Sequence, residues 1–299
     1  MDNTMGWKSC TWHDTEFKRL VSSTSKLYLT NLIVICVVNI LLTISNICLN
    51  TITILAYFKS KELKQRKSYF LIALLSFNDL TIGVLGTPSV VALAVKTLVK
   101  DDECTVDILF ELTAGSLSAF SFSTLFVLNL ERYLCIAHPF FHRNHMTKPK
   151  LFGMVSLLWA SALLLIFSRL FIDTVMRYTR TIVIIIMVIL SVSMYISIYR
   201  NSRKTTQLYR SQRHLRASST QDLKLAKSCG IVVTCTIICF TPYAMTSFFK
   251  PKADDLVFAM ASVWATTFAM AASSINSIIF FWRNRILRHR AKRVLKCRA

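Results

Sequence analysis

The chain has 299 residues, of which 54% are hydrophobic and only 17% charged, and its formal net charge is +21. A soluble domain of this size is less apolar, so a soluble globular protein is excluded. So large a basic excess suggests nucleic-acid binding when it covers a surface, but here it is confined to short stretches between apolar runs, which points to membrane topology and away from nucleic acid.

About 27 mixed polar and charged residues come first, without the pattern of a cleavable signal. Seven apolar runs follow, at about 28–58, 68–97, 105–136, 149–171, 181–199, 226–249 and 255–282. Each suffices to cross the hydrocarbon core as a helix, which takes roughly 20 residues. The runs are continuous, without the alternation of a lipid-facing strand, so helices are expected and a barrel is not. The expected fold is an all-α membrane protein: a bundle of seven transmembrane helices over 28–282, an extracellular segment over 1–27, and a cytoplasmic amphipathic helix and tail over 283–299.

Lys59, Lys61, Lys64, Arg66 and Lys67 lie between spans one and two. Arg200, Arg203, Lys204, Arg210, Arg213 and Arg216 lie between five and six, and Arg283, Arg285, Arg288, Arg290, Lys292, Arg293 and Lys296 follow span seven. The alternate loops mix signs, with Asp101, Asp102 and Glu103 against Lys96 and Lys100. By the positive-inside rule the basic stretches face the cytoplasm and the N-terminus lies outside, as in a multi-pass protein of the plasma membrane. Of the nine cysteines, Cys36, Cys48, Cys135, Cys229, Cys235 and Cys239 fall in or at the end of apolar runs, where cysteine is a small hydrophobe. Only Cys10 and Cys104 reach the oxidising side, which makes them the one candidate extracellular disulfide.

Along the chain, polar residues interrupt the runs at places that need an explanation. Span one carries Asn50, costly in hydrocarbon unless paired with a neighbouring helix. In span two, Asn78-Asp79-Leu80 precedes Gly83 and Pro88, and a carboxyl near mid-membrane is a functional candidate by default. Span three carries Glu111, Ala114 and Ser121 and ends Glu131-Arg132-Tyr133, then Pro139. An acid beside a base at a helix end reads first as snorkelling at the interface. Trp159 lies in span four and Tyr195 in span five. The loop 200–220 is a solvated basic face, a patch for anionic lipid, or a protein contact. Asp222 opens span six, which reads Cys239-Phe240-Thr241-Pro242-Tyr243, and Pro242 removes one helix hydrogen bond and permits a kink. Span seven carries Phe268, Ser273 and Asn276-Ser277-Ile278-Ile279-Phe280.

Glu131-Arg132-Tyr133 with Pro139 after it resembles the cytoplasmic end of the third helix in rhodopsin-like G-protein-coupled receptors, where Asp-Arg-Tyr is usual. Asn50, Asp79, Trp159, Asp222, Pro242 and Asn276 fall in the matching spans and order, so the resemblance covers roughly residues 28–297. It implies a receptor, not an enzyme, which binds an unidentified extracellular ligand and activates a heterotrimeric G protein as span six moves outward. It further implies an ionic lock between Arg132 and Asp222, an active state steadied by Tyr195, and a sodium ion in a polar network of Asn50, Asp79, Ser121 and Ser273. Ala272, where a polar residue is common, counts against that ion. The ligand site is expected among Glu111, Ala114, Phe240, Tyr243 and Phe268. Glu111 reads equally as a solvated helix-end acid, and the aromatic residues as packing.

Several features depart from the family. Phe240 replaces a tryptophan, Met187 a proline, and Phe280 the tyrosine of Asn-Pro-x-x-Tyr, whose proline is also missing. No cysteine lies between Cys135 and Cys229, so the usual partner of a span-three cysteine is absent. Ala114 stands where amine receptors carry an aspartate, and Met270 where an opsin carries its retinal lysine, so both classes are disfavoured. Past span seven, Ile286, Leu287, Val294 and Leu295 among basic residues fit a helix lying on membrane lipid, and Cys297 is a candidate lipidation site.

Two other classes compete. His138, His142 and His145 have spacings seen in metal sites, but a di-iron oxygenase needs more ligands than His13, His214 and His289 supply. A proton-coupled carrier would use Asp79, but it would usually show an internal repeat with interrupted helices, which is not seen here.

Overall fold

The computed structural model describes residues 26–99, 105–169, 173–209, 216–248 and 256–296. All regular elements among them are helices. They are α1 (Lys26–Lys59), α2 (Lys61–Gln65), α3 (Lys67–Thr81), α4 (Thr87–Val99), α5 (Thr105–Phe110), α6 (Ser116–Ala137), α7 (Pro139–His145), α8 (Lys148–Arg169), α9 (Asp173–Tyr209), α10 (Arg216–Phe248), α11 (Leu256–Arg283) and α12 (Arg285–Lys296). Short π-helical segments, Ile82–Gly86 and Glu111–Gly115, join α3 to α4 and α5 to α6. Among the described residues, seven stretches are long and apolar enough to cross a membrane: Leu29–Lys59, Lys67–Lys96, Leu112–Ala137, Lys148–Ser168, Ile182–Asn201, Lys227–Thr246 and Met260–Arg283. Their outward faces carry large apolar side chains, among them Leu41, Leu157, Leu164 and Ile238. A water-facing surface would not sustain so much apolar area.

The interruption in span two has a local cause. Pro88 offers no N–H, and in a regular helix its ring would strike the carbonyl one turn back. The chain widens there instead, and the Thr87 N–H bonds to the Ile82 carbonyl. Thr87 Oγ1 donates to Gly83 O at 3.3 Å. Gly83 is needed for close approach, because a Cβ there would sit 2.8 Å from Asn46 Cβ on α1. In span six, α10 runs continuously through Pro242 with one fewer ladder bond.

Spans two, three and seven are the most buried, and four and five the least. The larger core cluster lies toward the basic end of the bundle and brings together Leu71, Leu75, Leu125, Leu128, Val232 and Phe280. A smaller one, Ile82, Val90, Ala114 and Met270, packs toward the opposite end. Three short helices close the basic end. In α2, the Ser60 hydroxyl caps Leu63 N at 3.4 Å, and α7 starts with Pro139 in its first turn. For α12 the cap is Asn284, whose Oδ1 accepts from Leu287 N at 3.2 Å. Leu287 and Ala291 bury one face of α12 while Arg285, His289, Lys292 and Arg293 stay exposed, the i, i+4 pattern of an amphipathic helix.

Spans five and six meet at a position that spacing does not reveal. A Cβ at Gly230 would fall inside the ring of Tyr195. Gly230→Ala is therefore expected to destabilise the bundle by about 1–3 kcal/mol through overpacking. Thermal unfolding in nanodiscs tests this. In the double variant with Tyr195→Ala most of that loss disappears, because the two residues share one space.

Candidate functional site

Asp79 of α3 is buried at mid-span. Ser121 Oγ of α6 donates to its Oδ1 at 2.6 Å, and Asn276 Nδ2 of α11 lies 3.4 Å from its Oδ2. Thr236 Oγ1 of α10 donates to Asn276 Oδ1 at 3.3 Å. One carboxyl thus ties together spans two, three and seven, and through Asn276 it reaches span six. Ser273 shares a face of α11 with Asn276, and with Ser121 both line a chamber of about 10 Å³, enough for one water-sized sphere. Ala272 lines it too and brings no oxygen.

Asn50, expected in this network, does not touch Asp79. Its Nδ2 donates to Asn46 O at 3.0 Å and its Oδ1 accepts from Ser277 Oγ. One turn away Asn46 accepts from Ser274 at 2.8 Å. Asn50 faces span seven and serves as a helix–helix clamp. A second node, missed in the sequence, is Thr124. It accepts from Asn78 Nδ2 at 2.9 Å and from Trp159 Nε1 at 3.2 Å, joining spans two, three and four.

Above the chamber, away from the basic end, lies a cavity of about 110 Å³ whose walls include Ala114, Phe122, Met187, Phe240, Tyr243 and Met270. The rings of Phe122 and Phe240, 5.7 Å apart between centroids, also line the chamber below, so they form the shared wall. Phe268 does not belong to this site. Half-exposed, it packs against Trp264 at 6.2 Å, because Ala269 and Met270 occupy the inward face of α11 and Phe268 falls on the other.

At the basic end, Glu131 is fully buried and holds Arg132 in a two-pronged pair, with both N···O distances 2.7 Å. Ser68 Oγ of α3 donates to the same carboxylate at 3.0 Å, and His142 Nε2 of α7 lies 2.8 Å from its Oε1. Lys67 Nζ donates to His142 O at 3.0 Å, which fastens α7 to α3. The other two histidines go elsewhere, His138 to the Tyr133 hydroxyl at 3.4 Å and His145 against the Phe141 ring. Phe280 is buried in the core. A phenol from another span is nearby: Tyr69 OH accepts from Asn284 Nδ2 at 2.9 Å and fixes the junction of α11 and α12. Local periodicity signalled neither Ser68, His142, Tyr69 nor Asn284. Cys10, Cys104 and Cys297 lie outside the described residues, as do the side chains of Glu111 and Asp222.

The sequence profile of the seven-transmembrane receptors of the rhodopsin family matches residues 49–181. Over that stretch, a little under half of its length, the chain is similar to that family. Among curated relatives, a D(1C) dopamine receptor of Xenopus laevis is 28% identical over 128 residues, which cover 42% of this chain and 27% of the relative. The chain thus matches about a quarter of that relative's length. The seven apolar helices make the chain a multi-pass membrane protein.

Breaking the pair at the basic end tests how the bundle is held together. Glu131→Ala removes one member of a buried ion pair and is expected to cost about 3–5 kcal/mol. Replacing Glu131 and Arg132 together by leucine and methionine costs less than Glu131→Ala alone. Unfolding midpoints in nanodiscs, read for both variants, measure the difference.

Proposed function

We propose that the chain is a plasma-membrane receptor that binds an extracellular ligand and activates a heterotrimeric G protein. The carrying observation is the Glu131–Arg132 pair, buried at the basic end and gripped by spans two and three and by α7. In this reading the basic end is cytoplasmic and the N-terminus extracellular, in line with the loop charges. The ligand occupies the cavity above Phe240, and its better fit to the active arrangement supplies the only driving energy. Span six swings outward about Pro242, Arg132 gives up Glu131 and Asp222, and the cleft that opens admits a G-protein α-subunit helix. The basic face of α12 lies on anionic lipid, with Cys297 as the acylated anchor.

The Asp79 chamber fits a sodium ion by donor chemistry. The carboxyl and the hydroxyls of Ser121 and Ser273 are hard oxygen donors, although Ala272 supplies none. A bound ion would hold spans two, three and seven in the resting arrangement. Exchanging sodium for choline is then expected to lower the unfolding midpoint, by a loss of roughly 1–3 kcal/mol at saturating ion, and Asp79→Asn is expected to remove the response.

The reading itself is tested by nucleotide exchange on purified G proteins, with the receptor in nanodiscs and no added ligand. Asp222→Ala is expected to raise basal exchange and Arg132→Ala to abolish it. Exchange equal to that of empty nanodiscs in the wild type and in Asp222→Ala would count against coupling.

A further inference from the structure

Granted the receptor reading, on which this rests, we propose that the cavity takes a compact, neutral, lipophilic molecule that enters from the bilayer between α8 and α9. The walls carry no charged side chain among the described lining residues. Phe110, Phe122 and Phe240 present aromatic surface, and Met187 and Met270 add soft, adaptable thioethers. Three of the hydroxyls that reach the wall have their protons committed to their own helices. Ser118 Oγ donates to Ala114 O at 2.6 Å, Thr266 Oγ1 to Ser262 O at 3.0 Å, and Ser161 Oγ to Leu158 O at 2.9 Å. Each is left to act as an acceptor. An ammonium group placed here would lose its water and meet no opposite charge, a cost that burial imposes on any unpaired ion. With Ala114 on the wall, the described lining residues include no acid, so this lining favours neutral guests over amines.

The route follows from which lining residues also face outward. Ser161 of α8 and Val183 of α9 line the cavity and are exposed on the outside of the bundle, Val183 by 37%. Both lie within membrane-spanning segments, in the half of the bilayer away from the basic end. The cavity therefore reaches lipid between the two least buried spans. Size adds a limit: a dry cavity of about 150 Å³ accepts benzene, and this one measures about 110 Å³. The part of the guest enclosed by the cavity is therefore no larger than a single ring, with the rest left in the gap. It contacts the Phe122–Phe240 wall directly and lies one ring from the Asp79 chamber.

Photolabelling of the full chain in phosphatidylcholine nanodiscs tests the class. The probes are phenyl-trifluoromethyl-diazirine and its aminomethyl analogue, which carries an ammonium on the same skeleton. The neutral probe is expected to label Met187 or Leu165, and Ala162→Trp at the mouth is expected to cut that label roughly tenfold, a change of about 1.4 kcal/mol in occupancy. Labelling of lipid-facing Leu41, 62% exposed on α1, serves as the internal standard and stays unchanged. Ala114→Asp should transfer wall labelling to the ammonium probe. The proposal is overturned if the ammonium probe labels the wild-type wall as well as the neutral one does. It is equally overturned if the neutral label falls only on outward residues such as Leu41. Wall labelling by the neutral probe in a preparation that activates no G protein would sink the receptor reading alone and leave the ligand class standing.

Discussion

The bundle depends on the absence of water around its middle. In hydrocarbon an apolar side chain gains little by facing a neighbouring helix instead of lipid, so apolar packing leaves the rotation of each helix weakly determined. Polar side chains remove that freedom, since each must find a partner inside the protein. Asn39 with Thr267, Asn46 with Ser274 and Asn50 with Ser277 lock α1 against α11 along nearly three turns. Thr43 with Thr87 adds α4, and Asn78, Thr124 and Trp159 bind spans two, three and four. Asn129 donates to the Ser191 carbonyl and so reaches span five. A single interhelical bond of this kind contributes only about 0.6 kcal/mol on average. What the set supplies is register: each of these amides makes an interhelical bond in this rotation, although Asn39 Oδ1, Asn46 Nδ2 and Asn129 Oδ1 are left without a partner among the described residues.

The same rule governs the basic end. Glu131 is fully buried, and such a carboxylate is tolerated only with its oxygens occupied. Arg132, Ser68 and His142 occupy them, from span three itself, span two and α7. Neighbours in a helix do not normally face each other, yet the long arginine side chain folds back to make the two-pronged contact. Arg132 is therefore held by the residue beside it. The proposed switch requires Arg132 to leave a carboxylate that Ser68 and His142 continue to satisfy, so the acid is not orphaned when the base departs. That makes α7 part of the resting arrangement and more than a loop between spans three and four.

The helices were legible because their signal is local. Continuous apolar runs and basic stretches between them gave seven spans whose ends lie within three residues of the observed ones, except the starts of spans three and seven, expected at about 105 and 255 and observed at Leu112 and Met260. Amphipathic α12 was equally visible. Pairings between helices were not, because periodicity carries no information about which face meets which neighbour. Asn50 was recognisable as a polar residue needing a partner, but nothing in the sequence assigned it to Ser277 rather than to the Asp79 network. Phe268 was misplaced for a related reason. Its distance along span seven was right, but it lies off the inward face occupied by Ala269 and Met270. His142 drew notice only through its spacing to other histidines, a pattern with no part in its contact with Glu131.

The departures from the family pattern gain meaning once they are placed. Phe240, where an indole is usual, lies on the wall between the cavity and the Asp79 chamber, tilted against Phe122. A phenyl ring there keeps the chamber closed from above but offers no N–H, so the wall is apolar on the side that faces the cavity. Met187, in place of a proline, keeps its own backbone N–H for the helix and adds a flexible thioether to the same wall. Phe280 loses a phenol in the core, while Tyr69 supplies one to Asn284 from span two. The first of these replacements removes an N–H from the cavity wall, the second adds a flexible apolar side chain to it, and the third is accompanied by a polar tie at the basic end. Their distribution matches the division already present in the core: an apolar half around the cavity, and a polar half that keeps the helices in register.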